Sequence, residues 1–188
     1  MAKNNGENSA MTKTVKKLTS ATLAHRNVTP AEAEAGEKKV DQSPKTVTVL
    51  VVDDNEQNLE LLQAYLEDVQ CRTIPARDGI TALELIKKSI PDLVLLDVMM
   101  PKMSGFEVCR RIKNNPATAS LPVIMVTALN ELGDIERAIE SGTDDFLSKP
   151  INKWELVTRV KTMLKLKHLS DELERTLAYL SEVEKQAR

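Results

Sequence analysis

Asp53 and Asp54 stand side by side after a largely apolar run, Val47 to Val52, and a third carboxylate, Asp97, follows a second run, Leu93 to Leu96. A third run, Val123 to Val126, ends in the hydroxyl of Thr127, and the stretch Asp145 to Pro150 carries the ammonium of Lys149. If each run is a strand of an open parallel sheet, these side chains meet in the crevice outside the carboxyl ends of the strands, where such folds bind ligands. Three like charges in one crevice are costly unless a cation neutralises them. All-oxygen ligation suits Mg²⁺, which keeps part of its water shell and bridges phosphate oxygens. Acid pair, lone acid, hydroxyl and lysine therefore have the chemistry of a phosphoryl acceptor. Transfer passes through a loose, charge-rich transition state, so positioned cations and donors are what it needs.

Positioning those groups takes alternating strands and amphipathic helices, the pattern of βα repetition and an α/β fold. The apolar runs predict strands near 46–52, 71–75, 92–97, 121–127 and 143–148. Helices are expected near 55–68, 78–89, 104–114, 130–141 and from 151 onward. Pro101 and Gly105 shape the loop after Asp97, and Gly79 serves the turn before the second helix. The blander role for Asp53 and Asp54 is capping the helix that opens at Asn55-Glu56-Gln57-Asn58, but capping explains only one acid. Spacing alone makes Phe146 a core aromatic, and Trp154 is expected to pack at the start of the last helix.

With these residues in this order, the chain resembles the receiver domain of bacterial two-component response regulators over roughly Lys45 to Leu166. The resemblance implies a five-stranded parallel sheet, doubly wound and flavodoxin-like in the order 2-1-3-4-5. It makes Asp97 the phosphoacceptor, Asp53 and Asp54 the acidic pair of the Mg²⁺ site, Thr127 the switch hydroxyl and Lys149 the phosphate-pairing lysine. Asp54, Asp97 and the backbone carbonyl of Met99 would ligate the metal directly, with Asp53 acting through water. Phe146 matches the switch aromatic, with Phe for the commoner Tyr, and Pro150 would follow a cis peptide bond. The positions that tune hydrolysis are Met99 and Leu129, both apolar. A histidine kinase or phosphotransfer protein is the implied phosphodonor. Asp145 and Arg159 match an intersubunit ion pair of the OmpR-like branch, although Ile135 stands where a basic partner for Glu155 is expected.

Composition narrows the remaining choices. In 188 residues one domain with extensions is natural, and 41% hydrophobic content with 3% aromatics predicts an aliphatic core. A formal net charge of −2 gives no reason to expect nucleic acid as a partner. No apolar run approaches the roughly 18 residues of a membrane span, and the polar N-terminus lacks a signal-peptide core, so a cytoplasmic protein is expected. Cys71 and Cys109 read as buried free thiols. His25 and His168 are isolated; no acidic residue directly follows His168 as in a kinase phosphoacceptor helix.

Residues 1–44 hold only scattered aliphatics and are expected to be disordered, apart from a weak helix near Met11 to Leu23. Residues 45–165 form the receiver, and 166–188 a helical extension. Leu166, Leu173 and Leu180 repeat at seven, with Leu169, Thr176 and Val183 in the second seam position, the pattern of a short coiled coil. A homodimer through that seam and the face of the fourth helix, fifth strand and fifth helix is expected, with output by protein contact. Three alternatives stand beside this reading: a haloacid dehalogenase-type phosphatase, a coiled-coil scaffold with an inert receiver, and a fragment of a longer regulator. The first would carry a second acid two residues beyond its nucleophile, where this chain has Met99.

Overall fold

The computed structural model describes residues 46–128 and 132–187, the side chains of 132–135 excepted. The expected N-terminal disorder and helix, His25, Leu129 and the side chain of Ile135 lie outside the described residues.

Among the described residues five strands alternate with five α-helices: β1 (Thr48–Val52), α1 (Glu56–Leu66), β2 (Arg72–Ala76), α2 (Gly79–Lys88), β3 (Leu93–Asp97), α3 (Gly105–Lys113), β4 (Val123–Thr127), α4 (Leu132–Glu140), β5 (Asp145–Ser148) and α5 (Lys153–Gln186). All strand pairs are parallel, in the order β2-β1-β3-β4-β5, as expected. The three inner strands are apolar apart from Thr48 at one end of β1 and the site residues Asp97 and Thr127, because both sheet faces are covered. Alternate side chains separate into two cores. Leu50, Val52, Val94, Leu96 and Met125 pack with Ala82, Ile86, Val108 and Ile112 of α2 and α3. Val49, Val51, Leu93, Leu95, Ile124 and Leu147 pack with Leu59, Leu62 and Leu66 of α1 and with Leu156 and Val160 of α5. Pro75 sits on β2, an edge strand, where a missing N–H costs no central ladder bond.

Local side chains set the helix starts. Asn55 caps α1, Asp78 caps α2, Ser104 caps α3 and Asn152 caps α5, each accepting backbone N–H bonds from the first turn. Opposite the site, Lys113 joins the carbonyl of Leu121 to Asp144, whose carboxylate also accepts from the N–H of Val123.

Trp154 does not pack as expected; it is 83% exposed. The face of α5 that meets the sheet is fixed by Leu156, Val157 and Val160, and a residue two positions before Leu156 lies about 200° around the helix. Phe146 is not a core aromatic either, at 37% exposure. On β5 it is Leu147 that turns to the α1–α5 core, so strand alternation sends Phe146 to the opposite face of an edge strand. Cys109 is buried but Cys71, just before edge strand β2, is only half-buried.

The last helix keeps contact with the sheet core through Met163 and Leu164. Beyond them Leu166, Leu169, Leu173, Leu177, Leu180 and Val183 are all about half exposed. No helix among the described residues is long and apolar enough to cross a membrane.

Candidate functional site

Strand ends β1, β3 and β5 bring together the residues that the sequence marks. Lys149 Nζ lies 2.9 Å from Asp53 Oδ2 and 2.8 Å from Asp97 Oδ1, bridging two acids that are 1% and 3% exposed at their side chains. Asp54 is exposed, yet one carboxylate oxygen from each of Asp53, Asp54 and Asp97 lies within 4.8 Å of the others. Three carboxylates against one ammonium leave a formal charge of −2, which a divalent cation with oxygen ligands matches. The donor set fits a hard metal ion.

Neither Asp53 nor Asp54 is the cap of α1. That role falls to Asn55, whose Oδ1 accepts from the N–H groups of Gln57 and Asn58 at 2.9 and 3.4 Å. Asp53 is instead a hub. Its Oδ1 accepts from the Asn55 N–H at 2.9 Å, and the Asn58 side-chain amide donates to both of its oxygens at 2.9 and 3.0 Å. Sequence reasoning passed over Asn58. Its signal was an amide one helical turn beyond the acid pair, where the first turn of α1 folds back over the strand end.

Burial pushes the Asp97 carboxyl above the ordinary carboxylate range; the bond and charge of Lys149 oppose this, and Asp53 and Asp54 reinforce it. Burial alone would lower the Lys149 ammonium, but its hydrogen bonds to Asp97 and Asp53 outweigh that and raise it. Lys149 is thus a firmly charged ammonium beside a carboxylate whose negative form is held reluctantly.

The chain after Asp97 is tightly set. The Val98 N–H donates to the Val126 carbonyl at 3.2 Å, the Gly105 N–H returns to the Val98 carbonyl at 3.0 Å, and Lys102 takes a left-handed φ of 68°. Met99 is 63% exposed on this loop. Thr127 ends β4, buried, on the strand between Asp97 and Lys149, and its carbonyl accepts the Lys149 N–H at 2.7 Å. The peptide bond before Pro150 is cis. Phe146 is 37% exposed on the side of β5 opposite Leu147, whereas Asp145 lies on the side that faces α5.

On that face Arg159 NH1 bonds both oxygens of Asp145, at 2.8 and 2.9 Å, and its NH2 reaches Glu155 at 2.8 Å. The acids expected to seek partners across a subunit boundary both find Arg159 within the chain. The Asp145 bond is the main cause holding the guanidinium above its usual range.

Comparison with known proteins agrees with this geometry. A family model described as the response regulator receiver domain matches residues 49–161. The chain is 46% identical over 125 residues to the response regulator PleD of Caulobacter vibrioides, a match covering 66% of this chain and 28% of PleD. It is 37% identical over 119 residues to the polar-differentiation response regulator DivK of Brucella ovis, covering 63% of this chain and 97% of DivK. Among solved structures, that of a putative response regulator from Chloroflexus aurantiacus superposes with a TM-score of 0.62 at 36% identity, over 64% of this chain and 99% of its own.

Proposed function

Because the chain belongs to the response regulator receiver family, we propose that it accepts a phosphoryl group on Asp97 from a histidine kinase or phosphotransfer protein and signals through the protein contacts this changes. The observation that carries the proposal is Lys149 bridging buried Asp53 and Asp97 beside exposed Asp54, at the ends of neighbouring strands.

In this reading a carboxylate oxygen of Asp97 attacks phosphorus as the phosphorus–nitrogen bond of the donor breaks, and the imidazole leaves with a proton from solvent. The product on Asp97 is an acyl phosphate. Asp54, Asp97 and the Met99 carbonyl would hold Mg²⁺, with Asp53 acting through water, and the ion would supply charge neutralisation for the phosphoryl oxygens. Lys149 already touches Asp97 and pairs with one phosphoryl oxygen, and Thr127 donates its hydroxyl to another. Because burial disfavours the charge on Asp97, the free carboxylate is destabilised relative to an ester-like acyl phosphate whose charge lies farther out, facing Lys149 and the metal.

Drawing Thr127 toward the phosphoryl group gives Phe146, exposed two strand positions from Ser148, room to follow and repacks the face of α4, β5 and α5. The half-exposed leucine seam of α5 supports a parallel homodimer through residues 166–183, strengthened by phosphorylation. In this reading residues 45–165 are the receiver, and the cytoplasm, where phosphodonors of this kind act, is its compartment.

Acetyl phosphate with Mg²⁺, followed by intact-mass measurement, tests the chemistry. A persistent single phosphoryl adduct that Asp97→Asn abolishes is expected. Turnover without accumulation would indicate a phosphatase, no reaction an inert receiver, and an adduct in Asp97→Asn a different acceptor.

A further inference from the structure

We propose that Asn58 is a positioning residue of the phosphoryl-transfer site: its side-chain amide, bonded to both oxygens of Asp53, keeps that buried carboxylate aimed at the metal pocket before any transfer, and goes on doing so when Lys149 turns to the phosphoryl group. The inference rests on the phosphoacceptor reading above.

The Asp53 side chain is 1% exposed, and a buried carboxylate must have its lone pairs met within the protein. Two kinds of donor meet them. One is the Lys149 ammonium, which is shared with Asp97 at almost the same distance, 2.9 against 2.8 Å. The other comes from the first turn of α1: the Asn55 N–H and the bidentate Asn58 amide, at 2.9 to 3.0 Å. A phosphoryl group on Asp97 brings more negative charge to Lys149 than the carboxylate it replaces, so the shared ammonium is drawn away from Asp53. Asn55 donates to Oδ1 alone. Among the described residues only Asn58 also holds Oδ2, the oxygen that Lys149 would leave. It does so without charge, so it neither competes with a cation for the pocket nor joins the phosphoryl group. Its backbone is fixed one turn into α1, whose Leu59 and Leu62 are buried in the core, so the amide is held on a rigid element.

The test is calorimetric titration of Mg²⁺ alone into the full chain and its variants Asn58→Ala, Asn58→Leu and Asn58→Gln, with no phosphodonor present. Outer-sphere partners of metal ligands are typically worth 10- to 100-fold in metal affinity. Asn58→Ala and Asn58→Leu are expected to weaken Mg²⁺ binding by about tenfold or more, and Asn58→Gln, which keeps the amide donor, to recover part of the loss. Circular dichroism verifies the fold of each variant, and Asn58→Leu, which keeps the branched shape and heavy-atom count of the side chain, decides if Asn58→Ala is unfolded. Wild-type Mg²⁺ affinity in the leucine variant, or a glutamine variant no better than leucine, would overturn the positioning role. Wild-type protein that binds no Mg²⁺ and takes no label from acetyl phosphate would overturn the phosphoacceptor reading itself, which is a separate result.

Discussion

Gly105 opens α3 directly against the strand end that carries Asp97. A Cβ built there would lie 2.3 Å from the Asp97 carbonyl oxygen, 2.9 Å from Val98 Cα and 3.0 Å from the Asp97 carbonyl carbon. All three are backbone atoms, so no side chain can rotate out of the way. The carbonyl must retreat by about 0.7 Å to reach even 3.0 Å, the closest approach that real Cβ atoms make. The helix cannot simply slide off, because the Gly105 N–H is bonded to Val98 at 3.0 Å. Misplacing a reacting group by about 1 Å can cost about 100-fold in rate, or about 2.7 kcal/mol, and overpacking typically costs about 1–3 kcal/mol of stability. Gly105→Ala is therefore expected to slow acetyl phosphate labelling at saturating Mg²⁺ by tens of fold while remaining folded. Gly79→Ala is the comparison: its Cβ meets Val108 Cγ2 at 2.5 Å and Met103 Sδ at 3.2 Å, side-chain atoms rather than the backbone that carries Asp97. It should lose similar stability in urea unfolding with little change in labelling rate. Gly105→Ala labelled at the wild-type rate, or Gly79→Ala slowed as much, would refute the argument.

Asp97→Asn should be more stable than wild type at neutral pH without Mg²⁺. Burial raises the folded-state pKa of Asp97, so the stability it contributes is full below the unfolded-state pKa and is lost as pH rises through the folded one; a melting-temperature gap that fails to widen with pH would sink this. The phosphoryl group should persist for minutes or longer, because the exposed thioether of Met99 cannot serve as a general base for water; loss of label within seconds from the Mg²⁺-bound protein contradicts it. Leu173→Glu, in the middle of the exposed seam, should abolish a dimer seen by sedimentation with beryllofluoride. A wild-type monomer under all conditions, or a dimer indifferent to this change, would remove the coiled coil.

The fold was legible because burial on both sheet faces leaves a signature that a single sequence carries: unbroken aliphatic strands, then helices with one apolar stripe. The acids and Lys149 were legible for a related reason, since polar residues that end such strands have few other places to go. What escaped depended on phase and distance rather than on residue type. Trp154 was assigned to packing for its size, yet its place on the helix was already set by Leu156 and Val160. Spacing alone would have put Phe146 in the core, whereas the resemblance made it the switch aromatic, and its exposed place follows from the edge position of β5. Asn58 reads as one more polar residue on a helix surface until α1 turns its amide onto Asp53. The intrachain triad of Asp145, Arg159 and Glu155 is likewise a matter of two elements meeting, β5 and α5.

That triad bears on how a change at Asp97 could reach the tail. Lys149 and the first residue of α5 are separated by only three residues, and α5 then runs without glycine or proline from Lys153 to Gln186. Arg159 ties its second turn to β5, and Lys153 ties its first to Asp68 beside α1. The base of the helix is thus tied to β5 and to the turn that follows α1, while its packing on the sheet core extends as far as Leu164. The 22 residues that follow Leu164, as far as Gln186, extend roughly 33 Å, so a tilt of about 5° at the base moves the tip by about 3 Å. A seam of alternating leucines registers displacements of that size, because its knobs must meet holes in the facing helix. In the proposed dimer, phosphorylation would therefore need to make no new contact in the tail: reorienting the clamped base would be enough to favour or disfavour closure of the seam.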